Sequence, residues 1–328
     1  MSALLATLGF VVAAWISFTA LASLIVSIAW QVLAPRLHAA HPRQRASFAL
    51  ASAVAPAVIP VLLLVACLVP SLAGLVDARG DHCLAHADHP HLCLLHAVGA
   101  LEAPGAVLLV LTLGALVLGL TRAWQRVRRA QLLLTGLRQR APRTPHGHVV
   151  RVRSSLPFCF VAGLLRPEIF LSSRLIDALE SGQLEIVLAH ERAHQARRDP
   201  LRRAIAEACS LALPAAVRRS ILGELALASE QACDEEAACR AGDRLAVAET
   251  LVAVERLAQP ATGSAMALLP AFGASDIPAR VHSLLDEPPV DRRPGWIRKL
   301  AAAILLLALF VGADPIHHLT EHWLRLFF

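Results

Sequence analysis

The sequence has little charge, a single lysine and no tyrosine. Only 17% of its 328 residues are charged, whereas 56% are hydrophobic and the mean hydropathy is +0.56. Soluble domains carry roughly 25% charged residues, so this composition excludes an ordinary soluble protein. Because Lys299 is the only lysine and Trp296 stands three positions before it, a Ser-x-x-Lys acylation motif is absent. Because tyrosine is absent, no phenolic hydroxyl is available as a hydrogen-bond donor in a catalytic site.

Four uncharged stretches predict transmembrane helices, each of which needs roughly 20 apolar residues. They cover residues 3–30, 48–76, 103–121 and 300–313. The first stretch has no Lys or Arg before it and exceeds the apolar core of a signal peptide, so we expect a membrane helix there. The fourth stretch is short, and a re-entrant or interfacial helix is the alternative for it.

The basic residues predict the orientation of these helices. They follow the first and third stretches and precede the fourth, at Arg36, Arg43, Arg45, Arg122, Arg126, Arg128, Arg129, Arg292, Arg293, Arg298 and Lys299. The loop at 77–102 holds Arg79 alone among several acidic residues. The excess of Lys and Arg on cytoplasmic loops therefore predicts an outer N-terminus and a cytoplasmic segment at 122–298. This distribution also accounts for the net charge of +6, so we expect no direct binding of nucleic acid.

The strongest motif is His-Glu-Arg-Ala-His at residues 190–194. On a helix the two histidines share one face, so both imidazoles can hold one zinc ion while Glu191 acts as general base on a water molecule. Chance is the alternative, since random placement gives this pattern about 0.03 times in such a chain. A helix is favoured by an apolar stripe at Leu184, Val187 and Leu188, with Ser181 as the predicted N-cap and Asp199-Pro200 as its end.

A catalytic zinc ion takes a third protein ligand and keeps one position for water. Glu230 and Asp234 lie one helical turn apart in a later helical stretch. We predict that Glu230 binds the metal and that Asp234 hydrogen-bonds a liganding imidazole; a solvated carboxylate is the alternative for Glu230. Cys233 lies off their shared face and is predicted to be a buried structural thiol.

The predicted organisation has three parts. Residues 1–121 form three transmembrane helices with an outer loop at 77–102, residues 122–298 form a cytoplasmic domain, and residues 299–328 form the fourth helix and an outer tail. Within the cytoplasmic domain, a basic helical extension is followed by short strand-like runs and then by helices to about residue 257. The strand-like runs are 148–152, 157–162 and 168–171.

The chain resembles the BlaR/MecR-type antirepressor membrane zinc metallopeptidases. The resemblance is carried by Val-Ala-Gly-Leu-Leu-Arg-Pro-Glu-Ile-Phe-Leu from residue 161, His-Glu-Arg-Ala-His, Arg-Arg-Asp-Pro at 197–200, Glu-Gln-Ala-Cys-Asp-Glu from 230, and Ile-Pro-Ala-Arg-Val-His-Ser-Leu-Leu at 277–285. Three predicted helices before the zinc motif and one after it also fit that family. Heat-shock-type membrane zinc peptidases share the ligands but usually divide their helices evenly around the site.

This resemblance implies a mainly α membrane protein of a bacterial inner membrane, with an α+β gluzincin-type domain between helices three and four. It implies one Zn²⁺ per chain held by His190, His194 and Glu230, with Glu191 as base and Asp234 as supporting carboxylate. It also implies a cytoplasmic protein substrate, such as a helix-turn-helix repressor. In place of tyrosine, Arg280 or His282 is the candidate oxyanion stabiliser.

The sequence departs from the best-known members of that family, which carry an extracellular penicillin-binding sensor. We expect none here, since the lone lysine rules out β-lactam acylation. The outer segments hold many of the histidines, at His82, His86, His89, His91, His96, His317, His318 and His322. A metal-responsive patch is one interpretation, and a polar loop closed by a Cys83–Cys93 disulfide is the other.

Three functions fit these patterns. The first is a signal-transducing endopeptidase, the second is a quality-control protease for membrane proteins, and the third is a non-catalytic receptor with a structural zinc site. A structural site takes four protein ligands and no base, so Glu191 in the motif argues against the third.

Overall fold

The computed structural model describes residues 2–37, 39–76, 102–139, 149–258, 276–286 and 312–324, most of which are helical. The helices are α1 (Ser2–Leu33), α2 (Pro42–Val76), α3 (Glu102–Gln139), α4 (Ser173–Ala178), α5 (Ser181–Arg197), α6 (Asp199–Cys209), α7 (Ala215–Ala241), α8 (Arg244–Ala258), α9 (Ile277–Leu285) and α10 (Ala313–Leu324). The strands are β1 (Val149–Val152), β2 (Cys159–Ala162) and β3 (Glu168–Ser172), close to the predicted runs.

Among the described residues, three helical segments are long and apolar enough to cross a membrane. They are Val11–Leu37, Pro42–Cys67 and Val107–Gln139. The predicted fourth helix at 300–313 lies almost entirely outside the described residues, as does nearly all of the outer loop at 77–102 with Cys83 and Cys93.

The second helix begins six residues before the predicted start at residue 48. The prediction stopped at the arginines because charge is costly in a bilayer. In the structure Arg43 pairs with Glu236 and Arg45 pairs with Glu224, both on α7. These carboxylates neutralise the first turn of α2 and allow the helix to include it.

The two ends of α2 contact different parts of the molecule. Near its start, Nε of Arg45 donates to Oε1 of Glu224 at 2.7 Å. Twenty-two positions later, the Cys67 sulfur lies 3.4 Å from Oγ1 of Thr320 on α10. A helix rises 1.5 Å per residue, so these contacts are about 33 Å apart along α2, similar to the hydrocarbon thickness of a bilayer.

The three strands form one sheet in the order β1-β3-β2, with β1 parallel and β2 antiparallel to β3. The β2–β3 connection bends at Gly163, whose φ of 112° favours glycine, and an added Cβ would lie 2.5 Å from the carbonyl oxygen of Arg166. One face of the sheet carries Phe160 and Phe170, which stack with centroids 5.5 Å apart beneath the end of α3.

The other sheet face packs against α5 and α8. Its buried side chains include Ile169 and Leu171, and the predicted stripe on α5 packs on them. The stripe consists of Leu184, Val187 and Leu188. The helix that carries the His-Glu-x-x-His motif is therefore fixed against the sheet by the apolar stripe that indicated a helix in the sequence.

Helix α7 lies at the centre of the molecule and contacts α2, α5, α6, α8 and α9. A single apolar core joins it to the first two helices through Trp30, Ala49 and Ala53 on one side and Ile221 and Leu225 on the other. Burying these side chains contributes roughly 1.5–3 kcal/mol for each large one. The apolar α1–α2 pair and the motif-bearing part of the chain are therefore joined by a continuous core.

Candidate metal centre and active site

The two motif histidines meet on one face of α5. Their ring centroids are 4.8 Å apart and their Nε2 atoms are 3.1 Å apart. The helix is capped by Glu180, whose backbone N–H donates to Oε1 of Gln183, so Ser181 is the first helical residue. The prediction of Ser181 as N-cap was therefore wrong by one position, because the reciprocal bonds with Gln183 place the cap at Glu180.

Helix α7 brings Glu230 to the histidine pair. Oε2 of Glu230 lies 3.5 Å from Nε2 of His190, and Oε1 lies 3.5 Å from Nε2 of His194. A tetrahedral ion with bonds of 2.0–2.1 Å holds its ligand atoms about 3.3 Å apart. The three separations of 3.1, 3.5 and 3.5 Å therefore fit one zinc ion with a fourth position for water.

The ring orientation leaves both Nε2 atoms for a metal. Nδ1 of His190 lies 2.9 Å from Oδ1 of Asp234, and Nδ1 of His194 lies 2.8 Å from Oδ2 of Asp199. When each Nδ1–H donates to its carboxylate, the lone pair on Nε2 points into the site. Carboxylate–histidine pairs of this kind raise the basicity of the imidazole and fix its tautomer.

Asp199 is a site residue that the sequence analysis missed, since it was interpreted only as the end of the helix. Arg198 has a left-handed backbone with φ of 54° and ends α5, and Asp199 begins α6. This bend turns the Asp199 carboxylate back onto His194. The available signal was an acidic residue five positions after His194, just before a proline that starts a new helix.

Helix α9 adds Arg280, which is 5% exposed. Its Nε and Nη2 donate to Asp234 at 2.8 and 2.7 Å, and its Nη1 lies 3.0 Å from Oε2 of Glu230. The guanidinium of Arg280 thus contacts both Asp234, the supporting carboxylate, and Glu230, the third candidate ligand. His282 is exposed. The structure therefore brings Arg280, and not His282, into the cluster.

The carboxylates of the cluster stabilise positive charge on the histidines. Burial alone would lower the pKa of His190, yet the hydrogen bonds to Asp234 and Glu230 raise it to about 10. Burial alone would raise the pKa of Glu230, yet the two imidazoles and the charge of Arg280 hold that pKa well below its usual value. Carboxylates that raise a histidine pKa in this way also favour a bound metal cation.

Glu191 lies outside this set of converging ligand atoms. It is 8% exposed, and burial raises its pKa despite the opposing charges of His190 and His194. Burial, and then the charge of Glu191, raise the pKa of the Cys159 thiol at the start of β2. The motif glutamate is therefore a buried carboxylate separate from the three candidate ligands.

His194, Asp199 and Cys233 form a second group of donors within the described residues. It fits a metal less well, since the 2.8 Å between His194 and Asp199 is a hydrogen-bond distance, shorter than the ligand spacing around zinc. The Cys233 sulfur lies 3.7 Å from Oδ2 of Asp199, and its side chain is fully buried. Cys233 is thus a buried thiol, as predicted, although it faces the site.

The arrangement of two histidines one turn apart, a glutamate between them and a second glutamate on another helix is that of a metal-dependent peptidase. Residues 123–265 match the model of peptidase family M48, and this segment contains α5 and α7. The match supports a zinc metallopeptidase, and the three apolar helical segments support an association with a membrane. No curated protein and no solved structure matches the chain.

Proposed function

We propose that this chain is a membrane-embedded zinc endopeptidase with one zinc ion held by His190, His194 and Glu230. The observation that carries the proposal is the convergence of two Nε2 atoms and one carboxylate at zinc-like separations. The match to a zinc peptidase family over the same helices supports it independently.

The residues present fit peptide hydrolysis. A zinc ion bound at this cluster would supply Lewis-acid activation of a water molecule and of the scissile carbonyl. Glu191 accepts the proton of the attacking water and passes it to the leaving amine. Its burial, with the accompanying rise in pKa, suits a group that must both take and return a proton.

Strand β2 is the proposed binding edge for an extended substrate. It pairs on one side with β3 and contacts α5, the helix that carries Glu191. A peptide added alongside an edge strand gains main-chain hydrogen bonds that depend little on its sequence. Such a peptide would lie alongside the strand that contacts the helix of the proposed base.

The proposed location is a bacterial inner membrane, with the N-terminus outside and the peptidase part in the cytoplasm. Two observations support this orientation. The basic turn with Arg43 and Arg45 packs against α7, and so lies on the same side as the site. At the opposite end of α2, Cys67 contacts Thr320 of the tail helix α10.

The proposed substrate is a cytoplasmic protein, such as a helix-turn-helix transcriptional repressor, and the proposed role is signal transduction. This rests on the resemblance of the motifs to the antirepressor peptidases. Quality control of membrane proteins is the second candidate. The core shared by α1, α2 and α7 favours quality control, because this core places the site within reach of chains anchored in the same bilayer.

A substrate trap tests the function. Glu191→Ala should keep the metal and fold but lose hydrolysis by roughly 10²–10⁴-fold, so it should retain uncleaved substrate. Glu185→Ala, which removes an exposed carboxylate from the same helix, is the matched control and should cleave like wild type. Capture of an intact repressor supports signalling, whereas capture of many misfolded membrane proteins supports quality control. Wild-type cleavage by Glu191→Ala would contradict the mechanism.

A further inference from the structure

A chain of buried polar contacts joins α2 to the helix that carries Glu230. Arg45 is 8% exposed, and its Nη1 donates to Oε1 of Gln231 at 2.8 Å, while its Nε donates to Glu224. Gln231 directly follows Glu230 and is 5% exposed. The fork of the guanidinium therefore holds two positions of α7, separated by about two turns, against one position of α2.

The same glutamine also reaches α9. Its Nε2 donates to the carbonyl oxygen of Ala279 at 3.1 Å. Ala279 immediately precedes Arg280, whose guanidinium contacts Glu230 and Asp234. One amide side chain, with its oxygen towards α2 and its nitrogen towards α9, thus bridges the two helices across α7.

Apolar packing alone does not require this bridge. The core around Trp30, Ala49 and Ile221 already holds α2 against α7. Buried polar groups are costly unless every partner is in place, and a satisfied set therefore favours one register over its neighbours. The register fixed here is the one in which Arg280 faces Glu230.

We propose that Arg45 is a positioning residue for the metal centre. Through Gln231 it holds the start of α9, so that Arg280 keeps the Glu230 carboxylate against both imidazoles. A displacement of α2 would loosen the third ligand, and α2 contacts the tail helix α10 at its other end. This inference rests on the proposed function, because it assigns a positioning residue to the same zinc site.

A double-mutant cycle in zinc affinity tests the inference on the full chain in detergent. Arg45→Met and Gln231→Met should each weaken zinc binding on the order of 10-fold, as for other outer contacts of metal sites. If both act through one bridge, the double variant should bind zinc about as weakly as either single variant. Arg43→Met is the matched control, since Arg43 also joins α2 to α7 but through Glu236, and should change affinity less than about twofold.

The visible spectrum of the Co²⁺-loaded protein provides a second measurement. It should change in Arg45→Met and Gln231→Met, but not in Arg43→Met, because it reports the geometry of the metal ligands. If Arg45→Met does not fold, Arg45→Lys replaces it, since a lysine keeps the charge but cannot contact both partners in the same way. Additive losses, or wild-type affinity in both single variants, would overturn the inference. Absence of zinc from the wild type would instead overturn the proposed function.

Discussion

Oδ2 of Asp199 lies 2.8 Å from Nδ1 of His194, so the first residue of α6 orients the last motif histidine of α5. Arg197 also donates to Asp199, and Arg202 lies 3.5 Å from it. Burial acts to raise the Asp199 pKa, but His194 and Arg197 outweigh it and lower that pKa. The carboxylate is therefore held ionised and can accept a hydrogen bond from Nδ1–H of His194.

Replacing Asp199 should weaken the metal centre without removing a ligand. Asp199→Asn keeps the shape but loses the charge, and we expect zinc affinity to fall by roughly 10–100-fold. Competition with a chelator measures this. Asp177→Asn, at an exposed position on α4, is the control and should bind zinc like wild type. Equal zinc affinity in Asp199→Asn and wild type would show that Asp199 does not support His194.

Arg280 should contribute strongly to stability. Arg280→Gln leaves the buried Asp234 carboxylate without its bidentate partner, and breaking such a pair costs roughly 3–5 kcal/mol. The free energy of unfolding in denaturant should fall by about that amount. Arg203→Gln, which breaks an exposed pair with Glu207, should change it by less than about 1 kcal/mol. Similar losses in the two variants would contradict the buried role of Arg280.

The residues of the proposed zinc site could be predicted from the sequence because helical spacing is local. His190 and His194 are one turn apart on α5, as are Glu230 and Asp234 on α7, and each pair faces the cluster. The apolar stripe led by Leu184 likewise indicated a helix, and in the structure this face of α5 packs on the sheet. These features depend on the periodicity of one helix and need no knowledge of its neighbours.

The contacts of Asp199, Arg280 and Arg45 depend on tertiary structure, which local sequence patterns do not reveal. Asp199 reaches His194 only because one non-glycine residue, Arg198, adopts a left-handed backbone. Arg280 meets Asp234 across 46 positions of the chain. Arg45 can lie within α2 because two side chains of α7 accept its hydrogen bonds. Glu224 also neutralises its charge, and Gln231 is the second acceptor. The uncharged stretch at 48–76 therefore does not mark the start of the helix, which includes the arginines before it.

The orientation in the membrane makes a separate prediction. In a cysteine-free background, an impermeant thiol reagent added outside should label a cysteine placed near His86 or at the C-terminus, but not one near Arg140. The physical reason is the clustering of basic residues on one side. Labelling near His86 with protection of the C-terminal probe would show that the segment at 300–313 does not cross.

The outer loop provides a further prediction, concerning residues outside the described part of the chain. A Cys83–Cys93 disulfide would close a loop of about 11 residues and stabilise it by about 3 kcal/mol on the chain-entropy estimate. Alkylation without reductant followed by mass spectrometry should find both cysteines unmodified and linked. Alkylated thiols at both positions would refute the disulfide and leave the metal-responsive patch as the interpretation of this loop.

Zinc content tests the central claim most directly. His190 and His194 both present Nε2 to one position, so the purified full-length chain should contain about one zinc ion per molecule. The His190→Ala/His194→Ala double variant should lose it, while a variant of the exposed His282 to alanine should keep it. Elemental analysis of the three proteins gives the answer. Near-unit zinc in wild type and His282→Ala with almost none in the double variant is the predicted result, and full retention of zinc in the double variant would contradict the account.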